Sequence, residues 1–364
     1  MSSQCSHMRR LKWSTAWHVG LATKGEQMRV SLVLMMIYVL LCNAGIAHAD
    51  VFNLGNGLTN LATVKVGDAG NATDKRYSTS GYGAVSYNYA IGKYEVTAAQ
   101  YCDFLNHKAA TDTYKLYNTL MGDISNAGCN IQRSGSSGHY AYSVAADWAN
   151  RPVNYVSCWD AFRFVNWISN GQENGDTENG AYTLNGYNDW QGSDIQRNAG
   201  ATWFIPSEDE WYKAAYYKGG GTSAGYWDYA TRSNLAPYYT ILNPDVGNGA
   251  CYYGLTLGNP YWRTNVGEFE NSKSAYGTFD QAGNVTEWTE TVVVRYHDIE
   301  RSTRGGAYLH SKGALIASYT DGAFPSGENM YTGFRVAAAV PEPSSMAVLG
   351  TGVLLLIKLR RRRS

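Results

Sequence analysis

Between Asp280 and Arg335 the chain sets out three short phrases: Gly283-Asn284-Val285-Thr286-Glu287-Trp288, then Arg304-Gly305-Gly306-Ala307-Tyr308, then Gly333-Phe334-Arg335-Val336. They offer acid–base chemistry at His310, which Tyr308 and Ser311 flank. A general base needs a partner that brings its pKa near the working pH, and the sequence names none. His310, Tyr308 and Ser311 are therefore candidate catalytic residues, set against a plain surface or cleft histidine. Arg304 and Arg335 read as structural arginines that tie the Gly305-Gly306 turn to the last strand through forked hydrogen bonds, with anion binding as the alternative. Trp288 reads as core. Thiol chemistry is missing from this stretch, because the last cysteine in the chain is Cys251.

Cys102, Cys129, Cys158 and Cys251 lie in the body of the chain. In an oxidising compartment this even number permits up to two disulfides, in any of three connectivities. Zinc is not expected, because His107, His139, His297 and His310 show no ligand spacing with one another or with cysteine. Of 30 basic residues, 5 lie in 1–49 and 5 in 341–364; of 30 acidic residues, 1 lies in each end. That leaves 20 against 28, a body charge of −8. Binding phosphates needs clustered lysine and arginine, so nucleic acid is not expected as a partner.

Three helices must position these residues. Thr97 and Gln100 have capping-box spacing before Tyr101, Phe104 and Leu105; Ser157 precedes Trp159, Phe162, Phe164, Val165 and Trp167; Ser207 and Glu210 form a second box before Trp211. Between the second and third helices, residues 170–200 are polar and rich in glycine and asparagine. They read as a surface insertion, with Ala181 to Leu184 as a short strand. Abundant glycine and tyrosine, with few long apolar runs, predict a loop-rich α+β body of about 290 residues, long enough for a sizeable core.

The phrases extend upstream into Lys93-Tyr94-Glu95-Val96-Thr97, Arg151-Pro152-Val153-Asn154-Tyr155-Val156-Ser157 and Phe204-Ile205-Pro206-Ser207-Glu208-Asp209-Glu210-Trp211. In this order they resemble the formylglycine-generating enzyme (sulfatase-modifying factor) family over about residues 90–338. The resemblance implies one domain of low regular secondary structure, related to the C-type lectin fold. The family's oxidases follow Gly-Gly with a cysteine pair that binds copper and activates oxygen, and soft thiolates are what Cu(I) prefers. His310 and Leu315 stand at those two places here, so copper and oxidase activity are not expected. The resemblance also implies calcium held by Asp280, the carbonyls of Gly283 and Val285, and Glu287. Hard oxygen ligands and a turn-permitting glycine suit Ca²⁺. The other reading is a turn pinned by Asp280 and Asn284.

The two ends address the chain. Met28-Arg29, the apolar run Val30 to Leu41 and Ala47-His48-Ala49 read as a signal peptide over 1–49, with Met28 as the better start and cleavage before Asp50. Residues 50–89 then form an amino-terminal segment ahead of the domain. At the other end, Pro341-Glu342-Pro343, an apolar stretch from Met346 to Ile357 and arginines 360–363 resemble the Pro-Glu-Pro (PEP-CTERM) carboxy-terminal sorting signal. This implies an exosortase-type partner acting on 341–364. The stretch falls short of the roughly 20 apolar residues of a permanent span, so a transient transmembrane anchor in the inner membrane is expected, its arginines on the cytoplasmic side. The destination is the periplasm or outer surface of a Gram-negative-type bacterium. Three functions stay open: a calcium-stabilised binding or structural module with a glycan or protein ligand, a divergent enzyme acting without the cysteine–copper site, and an oxidase using cysteines from elsewhere.

Overall fold

The computed structural model describes residues 60–340 apart from 191 and 193. The expected signal peptide (1–49) and the sorting tail (341–364) lie outside the described residues. Three helices begin where their caps predict: α1 (Ala98–Lys108), α2 (Cys158–Ser169) and α3 (Glu208–Tyr216). Thr97, Ser157 and Ser207 each accept the backbone N–H three residues on, and Gln100, Asp160 and Glu210 return the bond to the cap's own N–H. Each box satisfies two helix-end donors that would otherwise lack a partner. Helix α2 is buried from Cys158 to Ile168, so its apolar face is nearly its whole circumference.

Among the described residues most strands are short, and they gather in three small sheets. β1 (Thr63–Val66) pairs with β2 (Tyr89–Gly92), β2 with β10 (Ala337–Ala339), and β10 with β5 (Trp203–Phe204), all antiparallel. The last strand is therefore a central one. β1 is an integral strand of this sheet, so residues ahead of the first phrase pack with it. β3 (Ile131–Ser134) and β4 (Ala141–Val144) form a hairpin. The third sheet runs β8 (Asp321–Ala323), β7 (Asp298–Arg304), β6 (Thr286–Arg295), β9 (Thr332–Gly333), with β9 parallel to β6. Among the described residues no helix is long and apolar enough to cross a membrane.

The stretch 170–200 differs from expectation. Ala181 to Leu184 form no strand, and Ala181, Tyr182 and Leu184 are buried. Tyr182 stacks on Phe162 of α2 at 3.7 Å between ring centroids, and its hydroxyl donates to Glu290 at 2.6 Å. Arg163 of α2 pairs with Glu178 at 2.7 Å. A polar composition here feeds a buried hydrogen-bonded layer over α2, because buried polar groups are tolerated once paired.

Candidate functional site

The turn before β6 is built from residues at positive φ: Asp280 (61°), Gly283 (89°) and Asn284 (59°). A Cβ on Gly283 would sit 2.1 Å from the Cys251 carbonyl oxygen, so only glycine fits. The Gly283 N–H donates to the Gly305 carbonyl at 2.9 Å, and Asn284 N–H to Cys251 O at 2.7 Å. The Tyr308 N–H donates in turn to Asn284 O at 3.0 Å. The first two phrases are thus laced together by backbone bonds.

Glu287, on β6, is fully buried and meets Arg335. Arg335 Nε donates to Oε2 at 2.5 Å and Nη2 to Oε1 at 2.6 Å, a forked pair; Trp211 Nε1 adds a third bond to Oε2 at 2.7 Å. The remaining Arg335 donors go to the carbonyls of Gly92 (3.0 Å) and Phe279 (2.9 Å). Arg304 reaches a partner that sequence reasoning does not name: its Nε donates to Glu208 of α3 at 2.7 Å, and Nη1 to the carbonyls of Ala317 and Tyr319. Every named bond of both arginines goes to protein. Gly306, at φ 67°, leaves room for the Ala314 carbonyl, 2.9 Å from where its Cβ would stand. Trp288 is buried and donates to Val156 O at 2.9 Å.

Glu95 is the acid that the sequence quoted but did not single out. It is buried, accepts from Asn284 Nδ2 at 3.0 Å and Val285 N–H at 3.2 Å, and is pushed well above the usual carboxylate range by burial and by the charges of Asp280 and Glu287. Asp280 accepts the Gly267 N–H on Oδ2 at 2.6 Å, and burial raises its pKa to about 6. A cavity of about 10 Å³, room for one water-sized particle, adjoins Asp280, Ser272 and Thr231. As a calcium set the four residues fit in part. Asp280 offers a hard oxygen beside a small hole. Glu287 does not fit as a ligand, because Arg335 and Trp211 take both its oxygens. Among the described residues no group of three Asp, Glu, His or Cys side chains is placed to hold a metal.

The Tyr308–Ser311 corner is poorly arranged for acid–base work. His310 Nδ1 accepts the Ala307 N–H at 3.2 Å, which a neutral ring with its proton on Nε2 satisfies, and burial pulls its pKa down. Tyr308 is buried; its hydroxyl donates to Met330 O at 3.3 Å, and burial raises its pKa to about 12. Ser311 is exposed and makes no cap bond to the turn that follows it. Leu315 is buried, while the surface beside His310 is exposed and apolar: Tyr253 (57 %), Leu309 (42 %) and Tyr331 (36 %). Tyr253 N–H donates to His310 O at 2.9 Å, and the His310 and Tyr331 rings lie 5.2 Å apart. No disulfide joins the four body cysteines, which are all free and buried. Each is enclosed in apolar packing, and burial lifts Cys102 to about 11 and Cys158 and Cys251 to about 12.

The pattern of the sulfatase-modifying factor enzyme 1-like domain matches residues 61–340. The chain belongs to this family. A PEP-CTERM protein-sorting motif matches residues 339–363, marking export and surface sorting of the Gram-negative kind, with exosortase as the enzyme that reads the tail. Similar solved structures include Treponema denticola variable protein 1, with 19% identity over 79% of this chain and 98% of that one, at a TM-score of 0.49. CarF is similar at 22% identity over 77% and 98%, TM-score 0.46. PvdO from Pseudomonas aeruginosa is similar at 17% identity over 80% and 98%, TM-score 0.45. No curated protein matches.

Proposed function

We propose that this family member is an exported binding or structural module and not an oxidase, and that its ligand surface is the exposed apolar corner around His310. The observation that carries the reading is what stands at the place of the cysteine pair. A half-buried histidine with its Nδ1 spent on a backbone N–H, and a buried leucine, offer no thiolate for copper. Tyr253, Leu309 and Tyr331 expose apolar area there, as binding surfaces do. The divergent-enzyme reading asks for His310, Tyr308 and Arg304 side by side in a cleft, whereas Arg304 is tied to Glu208 and Tyr308 to Met330. Cys251 is near this corner, packed with Ala307 and Tyr308, but burial holds its thiol protonated.

Calcium supports this module through Asp280 and the carbonyls of Gly283 and Val285, with Glu287 serving Arg335. The small cavity at Asp280 supports the Asp280 part of that assignment.

The binding reading is tested by probing the purified protein against immobilised glycans and against outer-surface proteins of a Gram-negative host. A ligand whose capture is lost in Tyr253→Ala and Tyr331→Ala, with the melting temperature kept, is the expected result. Copper-dependent oxygen consumption with a cysteine peptide would overturn it.

A further inference from the structure

An open groove of about 400 Å³ lies between the 111–119 loop, β3, Tyr140 and Glu328, and shares no residue with the His310 corner. That volume is in the range of small-molecule sites. Arg133 of β3 stands over the rings of Tyr117 (4.7 Å) and Tyr140 (4.4 Å), and its Nη1 donates to Asp112 Oδ2 at 3.3 Å. The two rings clamp the guanidinium and, covered by it, offer no bare platform for a sugar. Asp112 is spent: it also accepts the Leu116 N–H at 2.7 Å. Glu328 is different. Its Oε2 accepts from Asn118 Nδ2, whose own amide oxygen is fixed by the Leu120 N–H at 2.8 Å, while Oε1 takes no hydrogen bond among the described residues. Lys115 stands exposed at the rim.

The groove therefore presents one acid with a free oxygen and two bases, one held over two rings and one exposed. A ligand carrying only an anion would face Glu328, and one carrying only an amine would face Arg133 and Lys115. A ligand of both signs is matched on both sides. We propose that this groove binds a small zwitterion of the amino-acid class, its ammonium on Glu328 Oε1 and its carboxylate on Arg133 and Lys115. The planar fork of Arg133, preorganised by its two rings, suits a carboxylate, and the flexible Lys115 closes over it.

Calorimetric titration of the full chain in detergent with L-serine, L-lysine, L-glutamate and L-phenylalanine, and with the N-acetyl and carboxamide forms of whichever binds, tests this. At least one free amino acid is expected to bind at millimolar concentration or tighter, with acetylation and amidation each weakening it about tenfold or more. Glu328→Gln should weaken the free amino acid to the level of its N-acetyl form. Lys115→Ala, on an exposed side chain that leaves the fold intact, should weaken the acid and leave the amide unchanged, so the test survives even where Glu328→Gln lowers the melting temperature. No heat from any of the four, an amide that binds as tightly as its acid, or full affinity in Lys115→Ala would overturn the proposal. Its failure leaves the His310 surface untouched.

Discussion

Glu287 is fully buried, and two Arg335 nitrogens and the Trp211 indole bond its carboxylate oxygens. Removing one partner of such a pair leaves an uncompensated buried charge, which costs about 3–5 kcal/mol. Glu287→Gln is expected to lose about that much in urea unfolding, and to lose it equally with and without calcium. The four body thiols make the opposite case, of groups kept neutral. Burial holds Cys102, Cys129, Cys158 and Cys251 above the ordinary thiol range, so little thiolate exists at pH 8. A thiol reagent should leave all four unlabelled in the folded body and label all four in denaturant. Rapid labelling of Cys251 in the folded protein would reopen the oxidase reading.

At the scale of elements, helices were the legible part. Thr97, Ser157 and Ser207 each combine a cap with an apolar face within a few residues, so the signal is local. The sites that matter most are paired across long stretches: Glu287 with Trp211, Asn284 with Glu95, Arg304 with Glu208. No spacing rule reaches that far, so the sequence carries no local signal for the partners of Glu95 and Glu208 or for the buried layer within 170–200. The phrases themselves were legible, because each is a local turn requirement such as Gly283 against the Cys251 carbonyl. Helix α2 also predicts a pH response. Burial, then the like charge of Glu328, push Asp160 above the usual carboxylate range, and burial does the same for Glu328. The folded state thus holds protons that the unfolded chain has released, so the contribution of these two acids is fully present below the unfolded carboxylate range, about pH 4, and is lost as pH rises through the raised folded values. The melting temperature should decline from pH 5 to 8. Asp160→Asn should flatten that decline, while costing about 1 kcal/mol at pH 5 through the weakened Ser157 cap. An unchanged slope in Asp160→Asn would place the titration elsewhere.

For the whole molecule, the question is whether one cation is part of the fold. The body has a formal charge of −8. Around the 280–287 turn Glu95, Asp280 and Glu287 face Arg335, which balances one of them. Arg335 already serves Glu287 and burial keeps Glu95 protonated, so the acid left to face a cation is Asp280, beside the small cavity. A calcium ion held by Asp280 and the turn carbonyls would offset that charge and fix a backbone that three positive-φ residues make costly to order. Because the ion binds only the folded chain, its stabilisation follows mass action: calcium at about a hundred times its dissociation constant adds about 2.7 kcal/mol. The melting temperature should therefore fall on chelation and recover with added Ca²⁺. Asp280→Asn should abolish that recovery, whereas Glu287→Gln should melt lower yet keep it. A melt that chelator does not move would remove calcium from the fold and leave Arg335 as the cation that holds the turn. A recovery lost in Glu287→Gln but kept in Asp280→Asn would reverse the roles assigned to the two acids.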